Sequence, residues 1–253
     1  MNDIQARKYL DRINYSGSLE PCLDTLAALQ KTHLMNVPFE NLDIHYQTEI
    51  ILDYDRIYRK IVENGRGGFC YELNGLFYQL LKHLGFDIHR ISARVYAAGF
   101  RLPHEYDHLA IIATFGGVQY LADVGYKEFA FAPLKLEKAV NQKDERGNFM
   151  FDDYDAEHWR VSYISDTLMT PEYVFRNIHR EYAEFAEMCH FQQYHEDSHF
   201  RKQKLITRPT DEGRITLTSS KLKITIGDGF EETPVETEEE FEKYLWEYFQ
   251  IKI

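Results

Sequence analysis

The spacing of apolar residues changes once along this 253-residue chain, at about residue 87. Before that point, apolar side chains recur every three or four residues, as they do on one face of a helix. Beyond it come short runs rich in β-branched and aromatic residues, separated by turn residues. This change predicts an α+β fold in which a helical part precedes an antiparallel barrel or curled sheet.

Apolar periodicity places the individual elements. We predict helices around residues 4–13, 23–34, 57–62 and from 70 onward, then strands at 88–95, 108–115, 118–124, 159–164, 214–217 and 222–226. Thr170-Pro171-Glu172 is typical of a helix start, because proline is favoured at the first helical position. Residues 142–148 are predicted to form a polar loop. Thr237 and Glu240 fit a capping box that opens a last helix.

The segment 66–75, with the sequence RGGFCYELNG, places a cysteine where a helix begins. The two glycines before Cys70 permit a tight turn and close approach by another molecule. The partial positive charge and unpaired N–H groups of a helix N-terminus favour a thiolate, which is the nucleophilic form. Cys70 is therefore a candidate nucleophile, and the alternative is a small buried cysteine at a helix end.

Gly116-Gly117 is a strong signal for a two-residue hairpin turn between two predicted strands. If Phe115 pairs with Val118, His108 and Asp123 become diagonal neighbours on one face of the hairpin. Such neighbours are about 7–8 Å apart at the backbone, a gap that two polar side chains can close.

These positions predict a Cys70–His108–Asp123 triad. The aspartate would fix the imidazole tautomer, and the imidazole would hold the cysteine as thiolate. Because the chain has 11 histidines, a surface or structural His–Asp pair is the alternative.

These motifs resemble those of the arylamine N-acetyltransferase family. The resemblance rests on residues 66–74, on the His108 strand and on Asp123-Val124-Gly125, and residues 9–15 and 37–42 are similar to the helical domain of that family. It covers the first half of the chain well and the last third loosely.

The resemblance implies a ping-pong reaction in which acetyl-CoA acylates Cys70 and the acetyl group then passes to an aromatic amine, hydrazine or N-hydroxyarylamine. By position, Cys70 matches the nucleophile, His108 the base and Asp123 the orienting acid. Acetyl-CoA would be a co-substrate, no cofactor would be bound permanently, and the role would be in xenobiotic metabolism.

The resemblance also implies an acceptor pocket bordered by Phe39, Phe69, Val95 and Tyr126. The family more often has phenylalanine at the position of Tyr126, and Lys127 stands where a glycine is usual. Residues 188–195 depart from the family pattern as well.

Together, pattern and resemblance predict an N-terminal helical bundle, a central antiparallel β-barrel and a C-terminal α/β lid, around a Cys-His-Asp core like that of cysteine proteases. The expected domains are residues 1–86, which carry the nucleophile, 87–200, which carry histidine and aspartate, and 201–253.

Composition and net charge limit the classes of molecule that this chain is expected to bind. A net charge of −12 argues against a nucleic-acid surface. No apolar run approaches the roughly 18 residues of a membrane span, and the N-terminus lacks a signal-peptide pattern. We therefore expect small-molecule substrates, no nucleic-acid or membrane partner, and a cytoplasmic monomer or weak homo-oligomer.

We predict no catalytic role for two other clusters of polar residues. The three cysteines have no disulfide-like or metal-like spacing, and His190, His195 and His199 near Cys189 fit no standard zinc pattern, so no metal site is predicted. Glu40, Arg66 and Glu72 flank the cysteine motif and are expected to form a structural ion pair that holds the turn.

Two other functions remain open. A Cys-His-Asp thiol hydrolase or amidase would use the same triad with water as the acceptor, and a binding module could retain an inactive triad. The two enzymes share the acylation step and differ in what the acyl-enzyme meets next, since a transferase must keep water away from it.

Overall fold

A computed structural model describes residues 1–96, 104–126, 128–165 and 168–253. The α-helices are α1 (Asp3–Arg12), α2 (Leu23–Asn36), α3 (Leu42–His45), α4 (Tyr54–Tyr58), α5 (Cys70–His83), α6 (Ala186–Tyr194) and α7 (Glu238–Phe249). The strands are β1 (Phe39–Glu40), β2 (Ile88–Val95), β3 (His108–Phe115), β4 (Val118–Ala122), β5 (Leu134–Lys135), β6 (Gln142–Asp144), β7 (Gly147–Asp153), β8 (Trp159–Ile164), β9 (Met169–Phe175), β10 (Leu205–Pro209), β11 (Gly213–Thr218), β12 (Lys221–Ile226) and β13 (Gly229–Pro234).

The first core forms around α5, which is buried along most of its length. Helices α1, α2 and α4 contribute apolar side chains to it, as do the inward faces of β3 and β4. Because α5 packs directly on β3, its N-terminus lies against the end of that strand. The helix that begins with the cysteine is therefore fixed against the strand that begins with His108.

The central sheet has eight antiparallel strands in the order β5-β4-β3-β2-β9-β8-β7-β6. Its two edge strands are joined by the side chain of Gln142, which accepts a hydrogen bond from the N–H of Lys135 and donates one to its carbonyl, both at 2.8 Å. The sheet is therefore a nearly closed barrel, and aromatic and branched side chains fill its interior.

The C-terminal part is a five-stranded antiparallel sheet in the order β1-β10-β11-β12-β13, covered by α7. Its edge strand β1 comes from the N-terminal half of the chain, with Phe39 facing Thr207. This pairing joins the C-terminal sheet to the segment that leads into the cysteine turn. The predicted α+β class, with helices, barrel and C-terminal sheet, is confirmed, while the domain boundaries stay a prediction.

Two local predictions are wrong. Pro171 does not start a helix but lies within β9, opposite Ser162 at the point where the register of β8 and β9 shifts. A β-bulge is one of the few places where a strand tolerates a proline, because the missing N–H is not needed there. Residues 142–148 form most of the β6–β7 hairpin rather than a loop. Within the described ranges, no helix is long and apolar enough to cross a bilayer.

Candidate active site

Cys70 is the first residue of α5, as predicted. The turn before it is held from two sides: Glu72 accepts a hydrogen bond from the N–H of Phe69 at 3.2 Å, and Glu40 donates its N–H to the carbonyl of Gly68 at 2.9 Å. The sulfur of Cys70 lies 3.9 Å from the carbonyl oxygen of Asp107, the residue before β3. The cysteine therefore faces the start of β3, where His108 lies.

The β3–β4 hairpin has the predicted register, with Phe115 opposite Val118. Nε2 of His108 lies 2.6 Å from Oδ2 of Asp123, and both side chains are buried. The sequence argument for their contact is therefore confirmed. Because Nε2 is engaged, Nδ1 is the imidazole nitrogen left for a reaction partner.

Four further donors surround the Asp123 carboxylate. Oδ1 accepts from Asn74 at 2.8 Å and from the N–H groups of Gly125 and Tyr126 at 2.9 and 3.1 Å, while Oδ2 accepts from the hydroxyl of Tyr173 at 3.0 Å. Burial alone would raise the pKa of Asp123, but His108 and these donors hold it below its ordinary value. The carboxylate therefore stays ionised beside the imidazole.

The thiol has a different balance. Burial raises the pKa of Cys70 well above its ordinary value, the N–H of Leu109 opposes that shift, and the carboxylates of Asp107 and Asp123 add to it. The helix N-terminus alone therefore does not secure a thiolate, contrary to the simplest expectation from the sequence. Formation of the nucleophile depends on a group that takes the proton from the sulfur.

A buried network of five charged side chains lies behind the cysteine turn. Arg66 binds Glu40 through two hydrogen bonds of 2.8 and 3.0 Å and Asp43 at 2.8 Å, and Lys60 contacts Asp43 and Glu72 at 2.8 Å each. The expected ion pair between Glu40 and Arg66 is confirmed, but the partner of Glu72 is Lys60. Since Glu72 also accepts from the turn itself, the network fixes the position of the nucleophile.

Two of the residues assigned to the acceptor pocket lie on the barrel side of the site. The ring of Tyr126 is 5.5 Å from that of His108 in an edge-on arrangement, and its hydroxyl donates to Glu172 at 2.9 Å. Val95 pairs with Tyr173 across β2 and β9. These contacts bring both residues to the Asp123 end of the pair.

The other two lie at the cysteine turn, where Phe69 directly precedes Cys70 and Phe39 pairs with Gly68. The rings of Phe39 and Phe69 are each about 6 Å from that of Phe200, at 6.1 and 6.0 Å. Phe69 is fully buried, whereas Phe39 is partly exposed. Lys127, which stands where the family usually has a glycine, lies outside the described residues.

Sequence reasoning missed several neighbours of the site. Asn74 lies inside the cysteine motif, one helical turn after Cys70, so its spacing was an available signal. The helix start predicted at Thr170-Pro171-Glu172 concealed that Tyr173 lies in a strand beside the site. No local sequence pattern connects Phe200 with the cysteine motif. In the described part of the chain, no group of three or more His, Cys, Asp or Glu side chains could hold a metal ion.

Comparisons with known proteins identify relatives of this chain. A family model described as N-acetyltransferase matches residues 22–253. The pineal gland arylamine N-acetyltransferase isozyme of Gallus gallus is 31% identical over 97% of this chain and 93% of its own length. The arylamine N-acetyltransferase structure from Bacillus cereus, reported with a Cys-His-Glu catalytic triad, has a TM-score of 0.91 and 26% identity, with 100% of both chains covered. That from Mycobacterium marinum in complex with CoA has a TM-score of 0.89 and 29% identity, covering 97% of this chain and 92% of its own.

Proposed function

This chain belongs to the arylamine N-acetyltransferase family and is an acyltransferase that uses acetyl-CoA, and we propose that it carries the acetyl group on Cys70 and delivers it to arylamines. The observation that carries the proposal is the 2.6 Å contact between His108 and Asp123 beside the cysteine at the start of α5. This is the arrangement that a Cys-His-carboxylate nucleophile needs.

In the first half-reaction, Nδ1 of His108 takes the thiol proton and the sulfur of Cys70 attacks the thioester carbonyl of acetyl-CoA. A new carbon–sulfur bond forms to Cys70, the bond to the CoA sulfur breaks, and the proton passes from His108 to the departing CoA thiolate. Asp123 keeps the imidazole in the tautomer that leaves Nδ1 free to act as base. We assign stabilisation of the oxyanion to the N–H of Cys70, the first residue of α5.

In the second half-reaction, the acceptor nitrogen attacks the acetyl carbonyl, His108 accepts its proton, and the bond to Cys70 breaks. The thiolate then recovers that proton from the imidazole. We assign Phe39, Phe69 and Val95 to the acceptor pocket together with Tyr126, because aromatic and apolar side chains suit a flat aromatic amine. Hydrazines and N-hydroxyarylamines belong to the same proposal as further acceptors.

Burial supports transfer over hydrolysis. Cys70 is 3% exposed and His108 2% exposed, so bulk water has little access to an acyl group on this sulfur. A transferase must exclude water until the amine arrives. The CoA complex of the Mycobacterium marinum relative supports acetyl-CoA as the donor.

The location, physiological role, oligomeric state and domain division that we propose rest on the sequence. We propose a cytoplasmic protein with a role in xenobiotic metabolism, monomeric or weakly associated. The three cysteines are all free, which supports a reducing compartment. The division into residues 1–86, 87–200 and 201–253 is proposed with them.

Intact-protein mass spectrometry after brief mixing with acetyl-CoA and no amine tests the proposal. We expect one acetyl group on the wild type, its discharge when an arylamine or hydrazine is added, and none on Cys70→Ala. Cys189→Ala is the matched control, because that cysteine is also buried but lies outside the motif, and it should load normally. Loss of the acetyl group to water alone, at the same rate with and without amine, would favour the thiol hydrolase instead.

A further inference from the structure

The bulge in β9 sets the direction of one acidic side chain. Tyr173 pairs with Val161 on β8. The next residue of β8, Ser162, pairs with Pro171, so the register passes over Glu172. In a regular strand, neighbouring side chains point to opposite faces of the sheet, whereas a bulge re-aims a side chain and is common beside active sites. Glu172 is therefore the extra residue of the bulge, and the bulge decides where its carboxylate points.

Two consecutive residues of β9 consequently reach the candidate active site. The hydroxyl of Tyr173 donates to Oδ2 of Asp123 at 3.0 Å. Oε2 of Glu172 accepts the hydroxyl of Tyr126 at 2.9 Å, and the rings of Tyr126 and Tyr173 are 5.4 Å apart. Since the ring of Tyr126 also lies edge-on to that of His108 at 5.5 Å, one aromatic side chain connects the carboxylate of Glu172 with the imidazole.

Glu172 lies among the residues that we assign to the barrel side of the acceptor pocket. Its backbone carbonyl accepts the N–H of Tyr96, the residue after Val95, at 3.0 Å, and its carboxylate binds Tyr126. Glu172 and Tyr126 are both partly exposed. A small molecule that enters the pocket can therefore contact this pair.

The hydrogen bond to Tyr126 leaves the charge of the carboxylate in place. Burial, and then the charge of Glu172, raise the pKa of Tyr126, so the phenol stays protonated and acts as the donor. A neutral donor favours an ionised carboxylate without cancelling its charge. Phenylalanine, which the family more often has at this position, could not make this bond. Tyr126 and Glu172 therefore give the pocket of this chain an acidic group.

We propose that Glu172 is a specificity-determining residue of the acceptor pocket, which disfavours arylamines that carry a carboxylate relative to those with a neutral or cationic ring substituent. The physical reason is repulsion between like charges, which is strong where a site is partly shielded from water. The inference deepens the proposed acetyl transfer and rests on it. Because specificity is a difference between two acceptors, it does not depend on how quickly Cys70 is loaded.

Competition between para-aminobenzoate and para-aminobenzamide tests the proposal. The two acceptors have nearly the same shape and the same reacting amine, but only the first carries a negative charge. With both at equal concentration and acetyl-CoA as donor, the ratio of the two acetylated products gives the ratio of their kcat/KM values. For Glu172→Gln, which keeps the shape and an oxygen for Tyr126, we expect the ratio of benzoate to benzamide product to rise about tenfold over the wild type. The comparison isolates the charge of Glu172, because the rest of the pocket has the same residues in both proteins.

Two further comparisons separate charge from shape. Glu172→Asp and Glu172→Asn have equally short side chains that differ in charge, so the asparagine variant should give a benzoate to benzamide ratio about tenfold higher than the aspartate variant. This pair decides if Glu172→Gln does not fold. Glu238→Gln is the matched control, since Glu238 at the start of α7 also accepts a tyrosine hydroxyl, from Tyr46 at 2.5 Å, and it should keep the wild-type ratio.

The same product ratio for Glu172→Gln and the wild type would overturn the inference. Slower acetylation of both acceptors at an unchanged ratio would do so as well, because it would assign Glu172 a structural role at the bulge. Failure of the proposed acetyl transfer is recognised separately, since the wild type would then form neither product and would gain no acetyl group on Cys70.

Discussion

Asn74 joins the nucleophile helix to Asp123: its Nδ2 donates to Oδ1 of the aspartate across 2.8 Å. The same amide nitrogen lies 2.6 Å from the carbonyl of Leu109, and Oδ1 of Asn74 accepts from the N–H of Val124 at 2.9 Å. One side chain, a helical turn after Cys70, therefore contacts both arms of the hairpin. It fixes where the sulfur lies relative to the His–Asp pair.

Replacing Asn74 by alanine should slow acetyl transfer by about 100-fold, because a displacement of about 1 Å between nucleophile and base costs that much. Unfolding free energy should also fall by about 1–3 kcal/mol, since buried acceptors lose their donor. Steady-state acetylation of an arylamine and urea unfolding measure the two effects. Asn177→Ala, which removes an amide that donates to Gln119 on the barrel, should keep the wild-type rate. A wild-type rate for Asn74→Ala would show that the hairpin is held by other contacts.

Gly125 allows the segment after β4 to approach the start of α5 closely. A Cβ on this residue would lie 2.6 Å from Nδ2 of Asn74 and 2.7 Å from Cα of Cys70. Gly125→Ala must therefore displace the start of α5, and we expect acetyl loading to slow by about two orders of magnitude. In Gly229→Ala the new Cβ meets Ile226 at an ordinary 3.6 Å, so that variant should load like the wild type. Equal loading rates for the two variants would contradict this account.

The His108–Asp123 contact was predictable because local rules determine it. A Gly-Gly turn sets which residues of the two strands face each other, and side chains alternate between the faces of a strand. The start of α5 followed from glycine before and apolar periodicity after Cys70 in the same way. Each of these inferences needed only a short stretch of sequence.

Other parts of the site were not predictable for physical reasons. Pro171 suits both the first turn of a helix and a β-bulge, and only the pairing with β8 decides between them. The bond between Gln192 and Asp107 joins residues 85 apart in sequence. A glutamine on a short helix carries no local sign of its partner, because tertiary packing alone brings the two together.

Replacing Lys60 should destabilise the fold strongly, because this lysine is largely buried. It bridges Asp43 and Glu72 at 2.8 Å each, and its side chain is 13% exposed. Lys60→Met leaves both carboxylates short of a cation, so we expect a loss of about 3–5 kcal/mol in unfolding free energy. Lys8→Met, which removes an exposed 3.7 Å pair with Glu63, should cost about 1 kcal/mol or less.

A double variant separates charge from packing at this network. In Lys60→Met combined with Glu72→Gln, one of the uncompensated charges is gone while an acceptor remains for the N–H of the cysteine turn. Guanidinium unfolding should show part of the lost stability restored. Equal stability of the single and double variants would mean that the lost packing of the lysine stem, and not the buried charge, dominates.

His33 makes the folded state sensitive to acid. Its ring is fully buried between Tyr9 and Phe77, with centroids 5.8 and 5.5 Å away, and neither ring nitrogen has a hydrogen-bond partner among the residues that the structure describes. Burial lowers its pKa from 6.5 to about 3. The unfolded chain therefore binds a proton that the folded chain refuses, and stability is lost as pH falls from about 6.5 towards about 3.

The size of this loss follows from the two pKa values. Between pH 7 and pH 5, His33 should account for about 2 kcal/mol of lost unfolding free energy, at about 1.4 kcal/mol per pH unit below 6.5. Urea unfolding at both pH values should show that His33→Leu loses less stability than the wild type by this amount. His179→Gln, which removes a histidine that is 49% exposed, should lose as much as the wild type. If His33→Leu and the wild type lose the same stability between the two pH values, the folded state accepts the proton and the ring is not held neutral by burial.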